Sequence, residues 1–121
     1  MDVFYLGARP TQHLSRTLLE SGCRLLHIRY AKGFLERAAS TSGRAVVLHW
    51  KSNANRRIIA EAKASNVPVL VIAADLNAAI QAGAPFADLY LEKPARDEEL
   101  VSFVLDLVSE APMRRAAASV A

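Results

Sequence analysis

A chain of 121 residues, 52% of them apolar, is sized for one domain that buries about two-thirds of its unfolded surface. Its net charge of +3 hides a polarised distribution: residues 1–63 carry eleven Lys/Arg against four Asp/Glu, and residues 64–121 carry four against eight. No apolar run approaches the roughly 20 residues that cross a bilayer, and no dense Lys/Arg run with interleaved aromatics marks a nucleic-acid surface. The opening MDVFYLGARP lacks a secretory leader pattern, and Cys23, the only cysteine, excludes an internal disulfide. These features lead us to expect a soluble cytoplasmic domain with no membrane or nucleic-acid partner.

Five short apolar runs alternate with five helical stretches, the order of an α/β fold with a parallel sheet. DVFYL (Asp2–Leu6) is the first predicted strand. A helix follows from Thr11 to about Ser21, with Leu14 and Leu18 four apart on one face and Gly22 as its stop. The second strand is RLLHI (Arg24–Ile28), followed by a short, weakly marked helix near Lys32–Ser40. AVVLH (Ala45–His49) and PVLVIA (Pro68–Ala73) are nearly continuous apolar runs, as expected of central strands covered on both faces. Between them a third helix is expected to open at Ser52 or Asn53, with Ile58, Ile59 and Ala62 as its apolar stripe. Asp75 can cap a brief fourth helix ending at Gly83. After the strand DLYLE (Asp88–Glu92), a fifth helix begins around Asp97 with acids in its first turn, which suit the helix dipole. Leu100, Val101, Val104, Leu105 and Val108 keep helical spacing along it. Pro112 is expected to break this helix, leaving residues 111–121 as a tail or linker beyond a domain spanning 1–110.

Right-handed crossovers and this element order fit a doubly wound sheet, with ligands expected at the carboxyl ends of the strands. Gly7–Arg9, His49–Lys51, Ala73–Asp75 and Lys93 should converge there. The segments VPVLVIAA (67–74) and ADLYLEKPARDEELVSFV (87–104) carry a resemblance to a known family. Over about residues 2–108 the chain resembles the receiver domain of two-component response regulators. The Y-L-x-K-P step followed by acids and an apolar helix is its most specific part, and the first half matches in pattern only. The resemblance implies a (βα)5 receiver or flavodoxin-like fold with strand order 2-1-3-4-5, and a cis Lys93–Pro94 bond.

In that family, two acidic residues after the first strand and an aspartate after the third hold Mg²⁺, and that aspartate accepts a phosphoryl group. A Ser/Thr after the fourth strand and a lysine after the fifth hold the phosphoryl oxygens. The chemistry requires hard oxygen ligands for the metal and neutralisation of the transferred charge. Carried across residue by residue, the resemblance retains only Lys93. Gly7 and Ala8 stand where the acidic pair should be, His49 where the phosphoacceptor should be, and Ala73 at the hydroxyl position. Tyr90 matches the aromatic position that serves as a rotameric reporter in many receivers.

With Lys93, Arg9 and Lys51 near the rim and Asp75 the only acid in reach, the polarity of the site is inverted. The resemblance therefore implies a degenerate pseudo-receiver with no metal or cofactor and no enzymatic activity. It would signal by contact with a protein partner, or as a homodimer. The face used would lie on the fourth predicted helix, the fifth strand and the fifth predicted helix, with Tyr90, Arg96, Glu99 and Phe103 as candidate contacts.

Several alternatives stay open. Lys93, with Arg9 and Lys51, could meet a small anion, but it could equally bond backbone carbonyls or pair with Asp75, the plainer role and the preferred one. His49 could accept a phosphoryl group, although nothing in the sequence supplies its activation, and a strand-end histidine filling a gap is the simpler account. Trp50 is either a partner anchor or a lid. Lys51, Arg56 and Arg57 form either a basic docking face or solvated charge. His13, His27 and Cys23 lie on separate segments and make no spaced metal set. Gly33, Gly43 and Gly83 are read as turn residues.

Overall fold

The computed structural model describes residues 1–28, 44–51, 55–81 and 87–120. The predicted helix at Lys32–Ser40 lies outside them, as do Gly33, Gly43, Gly83, Ser52 and Asn53. The elements are β1 (Asp2–Leu6), α1 (Gln12–Glu20), β2 (Arg24–Ile28), β3 (Arg44–His49), α2 (Arg56–Ala64), β4 (Val69–Ala73), α3 (Leu76–Gln81), β5 (Leu89–Glu92) and α4 (Asp97–Val120). All five strands run parallel in one sheet of order β2-β1-β3-β4-β5, the doubly wound arrangement the element order predicts.

Strand parity divides the core into two layers. Val3, Tyr5, Ala45, Val47, Leu70, Ile72 and Leu91 face one side, where they meet Leu14 and Leu18 of α1 and Leu100, Val104 and Leu107 of α4. Phe4, Leu6, Val46, Leu48, Val69 and Val71 face the other, against Ile58, Ile59 and Ala62 of α2. Residues 69–73 of β4 are all buried, as a central strand covered on both faces requires.

Local chemistry explains the helix ends. Thr11 caps α1, its hydroxyl accepting the Leu14 amide at 3.0 Å. Asp75 caps α3 by accepting the Ala78 amide at 3.1 Å, and Glu92 accepts the Leu76 amide at 3.1 Å from the end of β5. Glu99 reaches back to the Arg96 amide at 3.2 Å, half of a capping box at the start of α4.

Three expectations need correction. First, α2 starts at Arg56, later than expected. Asn55 precedes it and makes no side-chain cap bond to it, its side-chain oxygen accepting the Lys51 amide at 2.8 Å. Second, Leu105 is 36% exposed, and Leu107 takes the buried position instead, giving α4 a core stripe of Leu100, Val104 and Leu107. Third, the helix does not stop at Pro112 but continues to Val120. Proline removes one helical hydrogen bond, and the strong helix formers on both sides of Pro112, chiefly alanine, arginine and methionine, favour continuation.

Two glycines adopt the left-handed backbone, Gly7 at φ +90 and Gly22 at φ +87. They differ in what surrounds them. A Cβ on Gly22 would meet nothing within 4 Å, whereas one on Gly7 would lie 2.6 Å from the carbonyl oxygen of His49. Gly22→Ala should therefore cost only the conformational penalty of about 1 kcal/mol. Gly7→Ala should cost at least about 2 kcal/mol, because strain and collision add. Urea unfolding of the two variants checks this, and equal losses would mean that the Gly7–His49 approach relaxes freely.

Candidate functional site

The register brings the candidate residues to one edge of the sheet. Leu6 pairs with Leu48, His49 with Ile72, and Ala73 with Glu92, so Gly7, His49, Ala73 and Lys93 succeed one another at the carboxyl ends. Main-chain bonds lock the edge: the Trp50 amide donates to Ile72 O and the Lys93 amide to Ala73 O, both at 2.8 Å. The Lys93–Pro94 bond is cis, as expected.

Each position expected to hold an oxygen ligand holds something else. Gly7 runs so close to the His49 backbone that no side chain fits there without displacing it. Ala8 is half-buried against the Tyr5 layer, and Ala73 presents a methyl that is 1% exposed. His49 is 8% exposed, and its Nε2 lies 2.8 Å from the Tyr5 hydroxyl with the rings tilted at 56°.

Burial holds both partners neutral. Desolvation, aided by the positive charges of Lys93 and Lys51, lowers the His49 pKa from 6.5 to about 4. Desolvation, with Asp97 adding to it, raises the Tyr5 pKa to about 12. Asp97 is itself held by the Thr11 hydroxyl, which donates to its Oδ2 at 2.8 Å.

The neutral pair also has a preferred hydrogen placement. If Tyr5 donates to Nε2, one bond serves both groups and leaves an Nδ1–H. If Nε2 donates instead, the phenolic hydrogen loses this partner as well. The first arrangement satisfies more groups. In either case Nδ1 is buried without a hydrogen-bond partner among the described residues.

Lys93 and His49 line a cavity of about 460 Å³ with Ile72, Pro94, Ala95 and Leu100. Arg9 and Lys51 are exposed and do not line it, although Lys51 acts on His49 electrostatically. The expected Lys93–Asp75 pairing is not made. Asp75 caps α3, and the ion pairs among the described residues are Arg24–Asp2 and Arg57–Glu61. Trp50 is half-buried against the Leu48 layer.

The proposed contact residues do not form one patch. Tyr90 is half-buried on the Leu48 side, and its hydroxyl accepts the Ala87 amide at 2.9 Å. Phe103 packs on the opposite, Tyr5 side. Arg96 and Glu99 are exposed at the start of α4.

Tyr5 is the partner of His49 that sequence reading missed. Its signal is faint: a polar-tipped aromatic inside a strand whose neighbours are wholly apolar. Only the register, which pairs Tyr5 with Val47 two residues before His49, brings the two together.

No protein-family model and no curated protein matches the chain. Solved structures do. The chain resembles full-length FixJ from B. japonicum at 20% identity and TM-score 0.67, covering 91% of this chain and 58% of that one. It resembles the response regulator StyR at 18% identity and TM-score 0.71, covering 98% and 65%. The receiver domain of a histidine kinase from Syntrophus aciditrophicus matches at 23% identity and TM-score 0.66, covering 89% of each. The chain thus has the receiver fold, and it spans less than two-thirds of the length of FixJ and StyR.

The neutral pair predicts how stability varies with pH. Below pH 6.5 the unfolded chain protonates His49 before the folded one does, so its contribution is complete above 6.5 and is lost as pH falls towards 4, about 3 kcal/mol in all. The folded Tyr5 hydroxyl keeps its proton above pH 10, so its contribution is complete below 10 and lost as pH rises towards 12. Chemical denaturation across pH should show both falls, and His49→Gln should flatten the acidic one. An unchanged acidic slope in that variant would exclude His49 as its source.

Proposed function

We propose that the chain is a receiver-like signalling module that acts through protein contact and has given up aspartyl phosphoryl transfer. The observation that carries this reading is the Gly7–His49–Tyr5 arrangement. In receivers this edge gathers negative charge to bind Mg²⁺ and accept phosphate. Here it is closed by a backbone approach and a buried neutral hydrogen bond. Inserting a carboxylate would require moving β1 away from β3. Such a module has no use for catalytic residues of its own.

Phosphotransfer through His49 finds less support. One ring nitrogen is occupied by Tyr5, and the imidazole is too buried to approach a phosphoryl donor in line.

The contact surface we favour is the β5 edge of the sheet together with the first turn of α4. β5 has a strand on one side only, and Arg96 and Glu99 are exposed beside it. Ile80 on α3 and Leu105 on α4 add exposed apolar side chains, at 38% and 36%. Polar residues around a few apolar ones are the usual composition of a transient interface. A cytoplasmic kinase, an effector domain or a second copy of the chain would fit this surface.

Two measurements test the reading. After incubation with Mg²⁺ and a small-molecule phosphoryl donor, the intact mass should be unchanged, and a stable phosphoryl adduct would overturn the loss of phosphotransfer. A photo-crosslinker at Glu99 should capture a discrete protein in cells, whereas one at the exposed Glu20 of α1 should not. Equal capture at both positions would remove the case for this face.

A further inference from the structure

We infer that the cavity between the carboxyl edge of the sheet and α4 is a binding site for a small uncharged molecule with a ring-sized apolar body. This goes beyond the contact reading and does not depend on it. The cavity, about 460 Å³, lies within the range of small-molecule sites. Four segments wall it: the ends of β3 and β4 through His49 and Ile72, the β5–α4 connection through Lys93, Pro94 and Ala95, and α4 through Leu100. Exposure grades along those walls. Ile72 is 1% and Leu100 6% exposed, whereas Lys93 and Pro94 are exposed and Ala95 is half-exposed. The connection is therefore the mouth, and hydrocarbon lies at depth.

Charge decides what enters. Among the described residues Lys93 is the only charged one in the lining, because burial holds His49 neutral. Lys93 and Lys51 both act on His49 in the sense that opposes a further positive charge, and the same potential opposes a cation in the cavity. No described carboxylate lines it to offset that cost. An anion gains little more. At depth, a carboxylate against Ile72 and Leu100 would exchange its water for apolar contact. At the mouth it would form only an exposed ion pair with Lys93, which contributes little.

An uncharged apolar body avoids both costs. Ile72, Pro94, Ala95 and Leu100 give it contact, and the four-carbon stem of Lys93 can extend that surface while its ammonium stays in water. Water held there instead meets few hydrogen-bonding groups. Of the His49 ring nitrogens, Nε2 is spent on Tyr5 and Nδ1 is buried out of contact with solvent. Replacing such water by carbon is favourable, because the water regains its bonds in bulk and apolar surface is covered. A polyol forfeits that gain, since its hydroxyls meet the same shortage of partners. Arg96 follows Ala95 in the chain and is exposed, so an occupant would lie beside the surface favoured for protein contact.

The test is a titration of the full chain followed by methyl and amide NMR. Indole is the probe, tryptamine its cationic counterpart, indole-3-acetate its anionic one, and glycerol the uncharged polyol. Indole should give saturable shifts and intermolecular NOEs centred on the Ile72 and Leu100 methyls. Tryptamine and glycerol should bind at least about tenfold more weakly, and indole-3-acetate no more tightly than indole. Lys93→Met should leave indole binding within about threefold, since the ammonium takes no part in it. Ala95→Phe, which fills the cavity from its mouth, should weaken indole by at least about tenfold. The NOEs are read on the unaltered chain, so the outcome does not hinge on how that variant folds. The inference fails if indole does not saturate, if its NOEs fall outside the cavity, if tryptamine or glycerol matches it on the same methyls, or if a folded Ala95→Phe binds it equally well. It also fails if indole-3-acetate binds at least about tenfold more tightly than indole and Lys93→Met removes the difference, which would make this a site for anions.

Discussion

The hydrogen bond between Tyr5 and His49 joins β1 to β3 at the point where the carboxyl edge of the sheet begins, and the character of that edge depends on it. A buried bond between two uncharged groups is tolerable only while both stay uncharged. Burial enforces this on each, moving the phenol and the imidazole away from the pH at which either would ionise. The apolar surroundings and the neutral pair thus require one another. A carboxylate placed among them would need a metal or a cation for company, and at Gly7 even a Cβ would lie 2.6 Å from the His49 carbonyl oxygen. The remaining cost is the unpartnered Nδ1, which concentrates at one point the demand for an acceptor.

Much of the scaffold can be read directly from the chain. The bounds of β1 and β2 match the short runs read from the chain, with β1 buried from Val3 to Leu6 and β2, at the sheet edge, keeping Arg24 and His27 exposed. The Thr11 cap, the Gly22 stop and the Asp75 cap are legible because each is a local event, decided by one side chain and the amides within three residues of it. The misreading of the α4 stripe has a non-local cause. Leu105 fits the helical period as well as Leu107 does, and only the direction in which α4 crosses the sheet decides which is buried.

The site is legible in one sense and hidden in another. That Gly7, Ala8, His49 and Ala73 replace ligand-bearing residues follows from position alone. That the replacement is a built arrangement depends on register, which no residue announces. Tyr5 reads as one more strand aromatic until Val47 is set beside it. The cavity is similarly invisible, since Leu100 and Lys93 come to line it together only in the folded chain.

The second half of the sequence is acid-rich, and the fold commits many of its acids to particular donors. Asp75 and Glu92 bond amides in the first turn of α3, Asp88 accepts the Val69 amide at 2.7 Å, Asp97 takes the Thr11 hydroxyl, and Glu99 takes the Arg96 amide. Five of the eight acids thus serve as acceptors for particular donors, and their charge is partly absorbed by helix ends. Lys93 sits among them in sequence and yet faces none of them in an ion pair among the described residues. Polarity at a strand end therefore depends on which acids the backbone has already claimed as well as on how many stand nearby.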